Sequence, residues 1–247
     1  MSHAKERLLP TGTTELVIDI SENKRLKQCR SYCNQSGKNL TSLLSGPYSE
    51  FSVIGVAQNS SLIGVHFKPG GSFPFFKLPA DEFQNKRVSL EELWGTTAVE
   101  LHERLLSAPT VGECFRLLEQ MLLAQAVKPL RLNKAVAHAL GEFQRTSCSY
   151  MVSDVVAQTG LSKRHFIQLF REQVGLTPKL YCRVRRFQRS LQTLVTQHEV
   201  NWVDLANACG YFDQAHFINE FRTFSGMNPT SYLKQRGENP NHLPMYD

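Results

Sequence analysis

The sequence predicts an α+β N-terminal domain of barrel-like strands plus two helices, followed by an all-α domain of two helix-turn-helix subdomains joined by a linker helix. Three observations support this fold class. Short apolar, β-branched runs alternate with Gly, Pro and Ser clusters over residues 14–80. Helical spacing of apolar residues begins near Ser89. A pattern of about 28 positions then occurs twice in the C-terminal half.

The first domain is predicted to contain strands at residues 15–20, 51–56 and 62–67, which are short runs rich in Val, Ile and Phe. Two helices are expected after them. They begin at the capping boxes Ser89-x-x-Glu92 and Thr110-x-x-Glu113, and apolar residues follow each box at helix-face spacing.

A proline at residue 129 predicts the domain boundary, because the residue before a proline disfavours helix. We therefore divide the chain into a first domain over residues 1–127, a helical domain over residues 130–237 and a polar tail over residues 238–247.

The internal repeat is the most specific feature. Residues 154–160 align with 204–210, and residues 165–181 align with 216–232 after one extra residue in the second copy. Each copy predicts a short helix ending at glycine, a turn, and a second helix with Ser162 or Asp213 as its N-cap. This arrangement is a helix-turn-helix, whose second helix enters the DNA major groove. A helical solenoid is the alternative, but it needs three or more stacked copies.

One continuous helix of about five turns is predicted between the copies. Apolar residues repeat there at spacings of four and three, and they are Leu180, Val184, Phe187, Leu191 and Leu194. The other faces carry four arginines, Arg183, Arg185, Arg186 and Arg189. Such a helix can hold the two recognition helices at a fixed separation. That separation must be about 34 Å if both helices contact one face of B-DNA.

Positive charge is concentrated in the helical half. Residues 129–237 hold 14 Lys and Arg against 7 Asp and Glu, a net charge of +7, whereas residues 1–128 hold 14 against 13, a net charge of +1. Clustered basic residues are typical of a phosphate-binding surface. A basic face that is merely solvated is the alternative interpretation.

No apolar run approaches the roughly 20 residues that span a bilayer, and no signal peptide is evident, which predicts a cytoplasmic protein with free thiols and no membrane contact. The pair Cys29-x-x-x-Cys33 raises the alternative of a metal or redox site, although no histidine or further cysteine lies near it.

The motif of the second copy resembles the AraC/XylS family of bacterial transcription regulators. It reads Ala206-x3-Gly210-Tyr211-x5-Phe217-x3-Phe221-Arg222-x3-Gly226-x2-Pro229-x2-Tyr232, and the family usually has Phe in place of Tyr211. The linker pattern Arg186-Phe187-x2-Ser190-x3-Leu194 is also similar, with Ser190 where Ala is usual. The resemblance covers residues 133–236 and implies sequence-specific DNA binding in an activator or repressor.

The first domain resembles a sensor or dimerisation domain of one branch of that family. The matching segments are residues 9–12 (Leu-Pro-x-Gly), 64–71 (Gly-Val-x-Phe-x-Pro-Gly-Gly) and 90–95 (Leu-Glu-Glu-Leu-Trp-Gly). In that branch several tens of residues precede the Leu-Pro-x-Gly segment, so we expect a shortened barrel here.

Matching to the family pattern assigns the DNA contacts. The expected base-reading residues are Arg164, Ile167, Gln168, Gln214, Ala215, His216, Ile218 and Asn219. Arg favours guanine and Gln or Asn favours adenine, whereas Ile contacts only a thymine methyl. The expected phosphate contacts are Lys163, Arg171, Arg183, Arg185, Arg189 and Arg222. For His165 and His216, packing inside the motif is the alternative.

The resemblance implies double-stranded DNA as the main partner, and it admits RNA polymerase, a small-molecule effector and a second copy of the chain. It implies no cofactor and no catalysis. Two alternatives differ in class. A cupin-like metal enzyme would need several converging histidines and a carboxylate, whereas His66 stands alone among the predicted strands and His102 lies on a predicted helix. A protein-binding adaptor would leave the basic excess unexplained.

Overall fold

A computed structural model of the chain describes residues 5–21, 40–55, 61–146, 152–196 and 199–245. Within these ranges, β-structure dominates the first part of the chain and helices dominate the rest. The predicted order of an α+β domain followed by a helical region is therefore confirmed.

The strands are β1 (Lys5–Leu8), β2 (Glu15–Asp19), β3 (Ser42–Ser45), β4 (Ser52–Gly55), β5 (Leu62–His66), β6 (Arg87–Ser89) and β7 (His242–Met245). They form two antiparallel sheets, with the orders β5-β2-β3-β6 and β4-β1-β7. The three predicted runs correspond to β2, β4 and β5. The other four strands were not predicted, since each is short and lacks a clear alternation of apolar and polar residues.

The core of the first domain lies between the four-stranded sheet and the helices that follow it. Side chains alternate across a strand, so Leu16 and Ile18 of β2 point to the same face, where both are fully buried. They share one apolar cluster with Leu101 and Leu118 of the helical layer. This core joins the four-stranded sheet and the helical layer of the first domain.

The helical layer consists of α1 (Leu90–Trp94), α2 (Thr96–Leu106) and α3 (Val111–Ala124). The hydroxyl of Thr110 accepts the Glu113 N–H at 3.2 Å, as the predicted capping box requires. The helix predicted from Ser89 is in fact two helices. Gly95 has φ of +62°, which turns the chain sharply between α1 and α2.

The remaining helices are α4 (Lys134–Arg145), α5 (Val152–Gln158), α6 (Lys163–Val174), α7 (Pro178–Thr196), α8 (Trp202–Ala208), α9 (Gln214–Ser225) and α10 (Pro229–Gln235). Helices α5 and α6 form the first copy of the repeat, α8 and α9 form the second, and α7 is the predicted linker helix. The apolar stripe of α7 is buried, with Val184, Phe187, Leu191 and Leu194 all inaccessible to solvent.

Strand β7 gives the C-terminal segment a structural role that the sequence did not reveal. The segment expected to be a polar tail pairs with β1 over four residues, from His242 opposite Leu8 to Met245 opposite Lys5. Leu243 is 1% exposed. Pro244 is tolerated because β7 is an edge strand of its sheet. The two ends of the chain therefore meet in one sheet.

Each copy of the repeat has its own apolar core. The core of the first copy contains Phe143, Phe166 and Phe170. The core of the second copy also contains Leu9 from the N-terminal segment and Leu243 from β7. The second copy is thus built partly from both ends of the chain.

Candidate nucleic-acid interface

The first recognition helix, α6, begins where the sequence predicts. The Ser162 hydroxyl accepts the His165 N–H at 3.3 Å, which satisfies one of the free donors at the helix start. Phe166 and Phe170 are fully buried and hold the inner face. The outer face begins with three exposed side chains, Lys163, Arg164 and Gln168, whereas Ile167 is half-buried.

The second recognition helix, α9, repeats this construction. The Asp213 carboxylate accepts the His216 N–H at 2.6 Å, and Phe217 and Phe221 are fully buried. Ala215 and Asn219 are exposed, while Gln214, His216 and Ile218 are half-buried. Both helices therefore present their first two turns to solvent from a capped and anchored base.

His216 is held by contacts within the protein. Its Nδ1 accepts the Phe212 backbone N–H at 3.3 Å, and its Nε2 lies 3.9 Å from Glu220 Oε1. Its ring also packs edge-on against Tyr211, with centroids 5.5 Å apart. These contacts favour the packing alternative for this residue. Phe212, beside it in the turn, is 88% exposed.

Glu220 is the centre of an ionic cluster beneath α9. Its side chain is 8% exposed, and its carboxylate accepts the Arg183 Nε–H and lies 3.5 Å from Arg186 Nη2. Arg186 also donates to the Gly210 carbonyl at 3.2 Å and lies 5.3 Å from the Tyr211 ring centre. Burial, followed by the nearby Glu220 charge, raises the pKa of Tyr211 well above its usual value. The cluster fastens the recognition helix to the linker helix.

The expected phosphate contacts fall into two groups. Lys163, Arg185, Arg189 and Arg222 are exposed and make no ion pair with any residue in the described ranges. Arg171 and Arg183 have acidic partners. Arg171 Nη2 lies 2.8 Å from Asp81 Oδ2 of the first domain, and Arg183 pairs with Glu220.

The C-terminal ends of both recognition helices press against the first domain. Gly175 and Gly226 cap α6 and α9 in the left-handed conformation, at φ of +88° and +72°. A Cβ on Gly175 would lie 2.4 Å from Pro47 Cγ, and one on Gly226 would lie 2.6 Å from Phe51 Cε1. Only glycine fits either place, because both the backbone angle and the space exclude a side chain.

The histidines considered for a metal enzyme have separate partners. His66 Nδ1 lies 3.0 Å from Glu15 Oε1, and His102 Nε2 lies 2.8 Å from the Asp19 carbonyl. Within the described ranges, no group of three His, Cys, Asp or Glu side chains is arranged to hold a metal ion. The Cys29–Cys33 pair lies outside those ranges.

Comparison with known families gives two matches along the chain. A helix-turn-helix domain model matches residues 155–235, and a domain of unknown function (DUF6597) matches residues 2–89. The first match covers both copies of the repeat, α7 and α10, and the curated relatives below are named as transcriptional regulators.

The helical half of the chain is a helix-turn-helix domain of the AraC type.

Three relatives illustrate the similarity. A probable transcriptional regulator, LumQ of Photobacterium leiognathi, is 27% identical over 64% of this chain and 67% of its own length. The Msm operon regulatory protein of Streptococcus mutans is 24% identical over 61% and 55%. The activator RhaS of Klebsiella pneumoniae is 29% identical over 43% and 37%. The chain thus spans about two thirds of one relative and roughly half or less of the others.

The fold of the whole chain is similar to that of ToxT from Vibrio cholerae, solved with (E)-4-(8-methylnaphthalen-1-yl)but-3-enoic acid bound. The TM-score is 0.51 at 10% identity, and the match covers 95% of this chain and 96% of ToxT. At that identity the likeness concerns the fold. Within the described ranges, no helix combines the length and apolar character needed to cross a bilayer.

Sequence reasoning missed Glu220 as a member of the interface. One signal was available in the repeat of this AraC-family domain. Glu220 aligns with Leu169 of the first copy, so an acidic residue replaces an apolar one on an otherwise matched helix. That departure marks the place where the second copy acquires its ionic anchor.

Proposed function

We propose that the chain recognises a specific DNA sequence by placing α6 and α9 in two adjacent major grooves of one duplex. The observation that carries this proposal is the matched pair of N-capped helices, each with exposed and half-buried side chains on its first two turns and buried phenylalanines beneath. Helix α7 has 19 residues, which corresponds to a length of about 28 Å. That is comparable with the roughly 34 Å between successive major grooves on one face.

The base-reading set keeps all eight sequence-predicted residues, ordered by exposure and by the contacts their side chains can offer. Arg164, Gln168 and Asn219 are exposed and suited to bidentate contacts with guanine or adenine. Gln214 and Ala215 open the second helix, and Ile167 and Ile218 offer apolar edges. His216 stands last, because its Nδ1 accepts the Phe212 N–H and its ring packs against Tyr211.

The phosphate set is headed by the four cations without a described acidic partner, Lys163, Arg185, Arg189 and Arg222. Arg171 and Arg183 would have to exchange a carboxylate for a phosphate. We assign Arg183 and Arg186 mainly to positioning α9, because both hold Glu220.

A matched pair of substitutions tests this division. Arg164→Ala should weaken binding by about 1–3 kcal/mol and relax preference at one base pair. Lys163→Ala, at the neighbouring residue, should weaken binding to all sequences alike. It should also reduce the slope of log affinity against log salt concentration by about one. Binding assays on a selected site and its point variants, across salt concentrations, separate the two. Equal losses on every sequence from Arg164→Ala would remove that residue from the base-reading set.

We further propose that a small molecule controls DNA binding through the first domain. Two contacts support this, since Pro47 lies against the end of α6 and Phe51 against the end of α9. A shift in that domain would therefore reach both recognition helices. ToxT, which has a similar fold, was solved with a carboxylic acid bound. The test is the affinity for a selected DNA site with and without candidate metabolites.

As a regulator of this family the chain would act in the bacterial cytoplasm, with RNA polymerase and a second copy of itself as further partners. Footprinting beside a promoter, with and without polymerase, tests the first partnership, and sedimentation tests the second.

A further inference from the structure

The second copy of the repeat contains one residue that the first copy lacks, in the turn between its two helices. From the glycine of this turn to the N-cap of the recognition helix, the first copy has only Leu161, whereas the second has Tyr211 and Phe212. Leu161 is half-buried and packs against the core of its copy, and the buried Tyr211 belongs to the core of the second. Phe212 is therefore the extra residue.

Phe212 does not make the contact that is usual for its position. An apolar residue just before the N-cap commonly packs against the fourth residue of the helix, which in α9 is Phe217. Here Tyr211 makes that contact, with ring centres 5.2 Å apart, and Phe212 is 88% exposed. No other large apolar side chain in the described ranges is as exposed. The protein thus leaves a complete phenyl ring in water at the start of α9.

The backbone of Phe212 is held in place although its side chain is not. Its N–H donates to His216 Nδ1 at 3.3 Å, and the next residue, Asp213, caps α9. Helix α9 has 12 residues and is about 18 Å long, and its other end lies against Phe51 of the first domain. The ring is therefore attached at a fixed place, at the end of α9 opposite this contact.

The place of Phe212, rather than its exposure, indicates a partner. Single exposed apolar side chains are common on protein surfaces. However, the N-terminal residues of a recognition helix lie nearest the base edges in the major groove, and Phe212 stands two residues before Gln214, the first expected base reader of α9. The apolar group on the base edges of that groove is the C5-methyl of thymine, which phenylalanine can contact.

We propose that Phe212 contacts the C5-methyl group of one thymine at the edge of the site read by α9, and so specifies a base that the hydrogen-bonding side chains do not. The inference rests on the proposed DNA recognition and adds one residue and one base to it. The corresponding residue of the first copy, Leu161, packs against its own core. Only the part of the DNA site bound by α9 should therefore show this requirement for thymine.

Replacement of thymine by deoxyuridine tests the contact, because it removes only the methyl group. Fragments bound by the natural chain are selected from random DNA, and the block bound by α9 is identified as the one whose preference changes in Gln214→Ala. Each thymine there is then replaced singly. One replacement should weaken binding by the natural chain about fourfold. Phe212→Ala should weaken binding to the selected site about tenfold, and the same replacement should then change its affinity less than about 1.5-fold.

Phe115→Ala is the matched control. It removes a phenylalanine that is 57% exposed in α3 of the first domain, and it should leave the affinity for the selected site unchanged. Phe212→Leu keeps an apolar side chain and should retain most of the affinity. Thermal melting shows whether each variant is folded, and Phe212→Ala should melt with the natural chain because its side chain is outside the core.

Three results would contradict the thymine contact. Equal affinity of Phe212→Ala and the natural chain, or the same deoxyuridine effects in both, would overturn it and leave the proposed DNA recognition standing. Altered sedimentation of Phe212→Ala with unchanged DNA affinity would also overturn it and would assign the ring to a protein partner. Failure of the natural chain to enrich any sequence would overturn the proposed DNA recognition, and the thymine contact with it.

Discussion

The two copies of the repeat share their internal design and differ in what anchors them. Each has a side-chain N-cap, two buried phenylalanines one turn apart and a left-handed glycine at the end of its recognition helix. The first copy meets the first domain through the Arg171–Asp81 ion pair. The second copy incorporates both chain ends into its core and is fastened to α7 by Glu220. Local sequence thus builds the motif, and long-range contacts decide how rigidly it is held.

The largest expected difference comes from the chain ends. Leu243→Ala removes a side chain that is 1% exposed in the core of the second copy, and it should lower the free energy of unfolding by about 3 kcal/mol. Leu78→Ala, at a residue that is 51% exposed in the first domain, is the control and should change it by less than about 0.5 kcal/mol. Urea unfolding measures both. Equal effects would mean that β7 does not support the second copy.

The second-largest expected loss of stability comes from removing the carboxylate of Glu220, which binds Arg183 and Arg186. Glu220→Leu copies the residue of the first copy but leaves Arg183 and Arg186 without their carboxylate. We expect a loss of about 2 kcal/mol, less than for a fully buried pair because Arg183 is 32% exposed. Glu220→Gln should give an intermediate loss. Unchanged stability and DNA affinity in Glu220→Leu would show that the cluster positions nothing.

Alkaline pH should also weaken the second copy. Burial raises the pKa of Tyr232 to about 12, and burial raises that of Tyr211 too. Both hydroxyls are protonated in the folded state at pH values where the unfolded chain begins to lose protons. The stabilising contribution of Tyr232 is therefore complete below about pH 10 and is lost between about pH 10 and pH 12. That of Tyr211 also begins to be lost near pH 10, and the loss continues to higher pH because its pKa is raised further.

Tyr211→Phe tests this dependence. At pH 7 the variant should be within about 1 kcal/mol of the natural chain. Between pH 7 and pH 11 the variant should lose about 1 kcal/mol less of its free energy of unfolding than the natural chain does. Urea unfolding at the two pH values provides the comparison, and parallel pH curves for the two proteins would contradict it.

The smallest expected difference concerns matched arginines. Arg222 has no acidic partner in the described ranges, whereas Arg171 pairs with Asp81. Arg222→Ala should reduce the slope of log DNA affinity against log salt concentration by about one, because one phosphate contact is lost. Arg171→Ala should leave that slope nearly unchanged and alter stability by about 1 kcal/mol or less. Equal slopes for the two variants would show that the Arg171–Asp81 ion pair breaks when the protein binds DNA.

The parts of the fold predicted from sequence are those encoded locally. Ser162 and Asp213 cap helices within three residues of themselves, so their spacing alone identified α6 and α9. Strand β7 could not be predicted, because His-Leu-Pro-Met shows no strand pattern and gains its partner from β1, more than 200 residues away.

The residues of the candidate site also divide into those placed by local sequence and those placed by the tertiary fold. The exposed positions of α6 and α9 follow from helical periodicity and were listed from sequence. The partners of Arg171 and Arg183 were not, because Asp81 and Glu220 reach them through the tertiary fold. The break at Gly95 was missed for a related reason, since glycine within a helical pattern marks a turn only sometimes.

In the proposed complex, α7 holds α6 and α9 at a fixed separation on one duplex. The decisive experiment selects bound fragments from random DNA and then inserts five base pairs between the enriched blocks. We expect two conserved blocks about ten base pairs apart, and loss of tight binding when the insertion turns one block to the opposite face. A single conserved block, or unchanged affinity after the insertion, would contradict it.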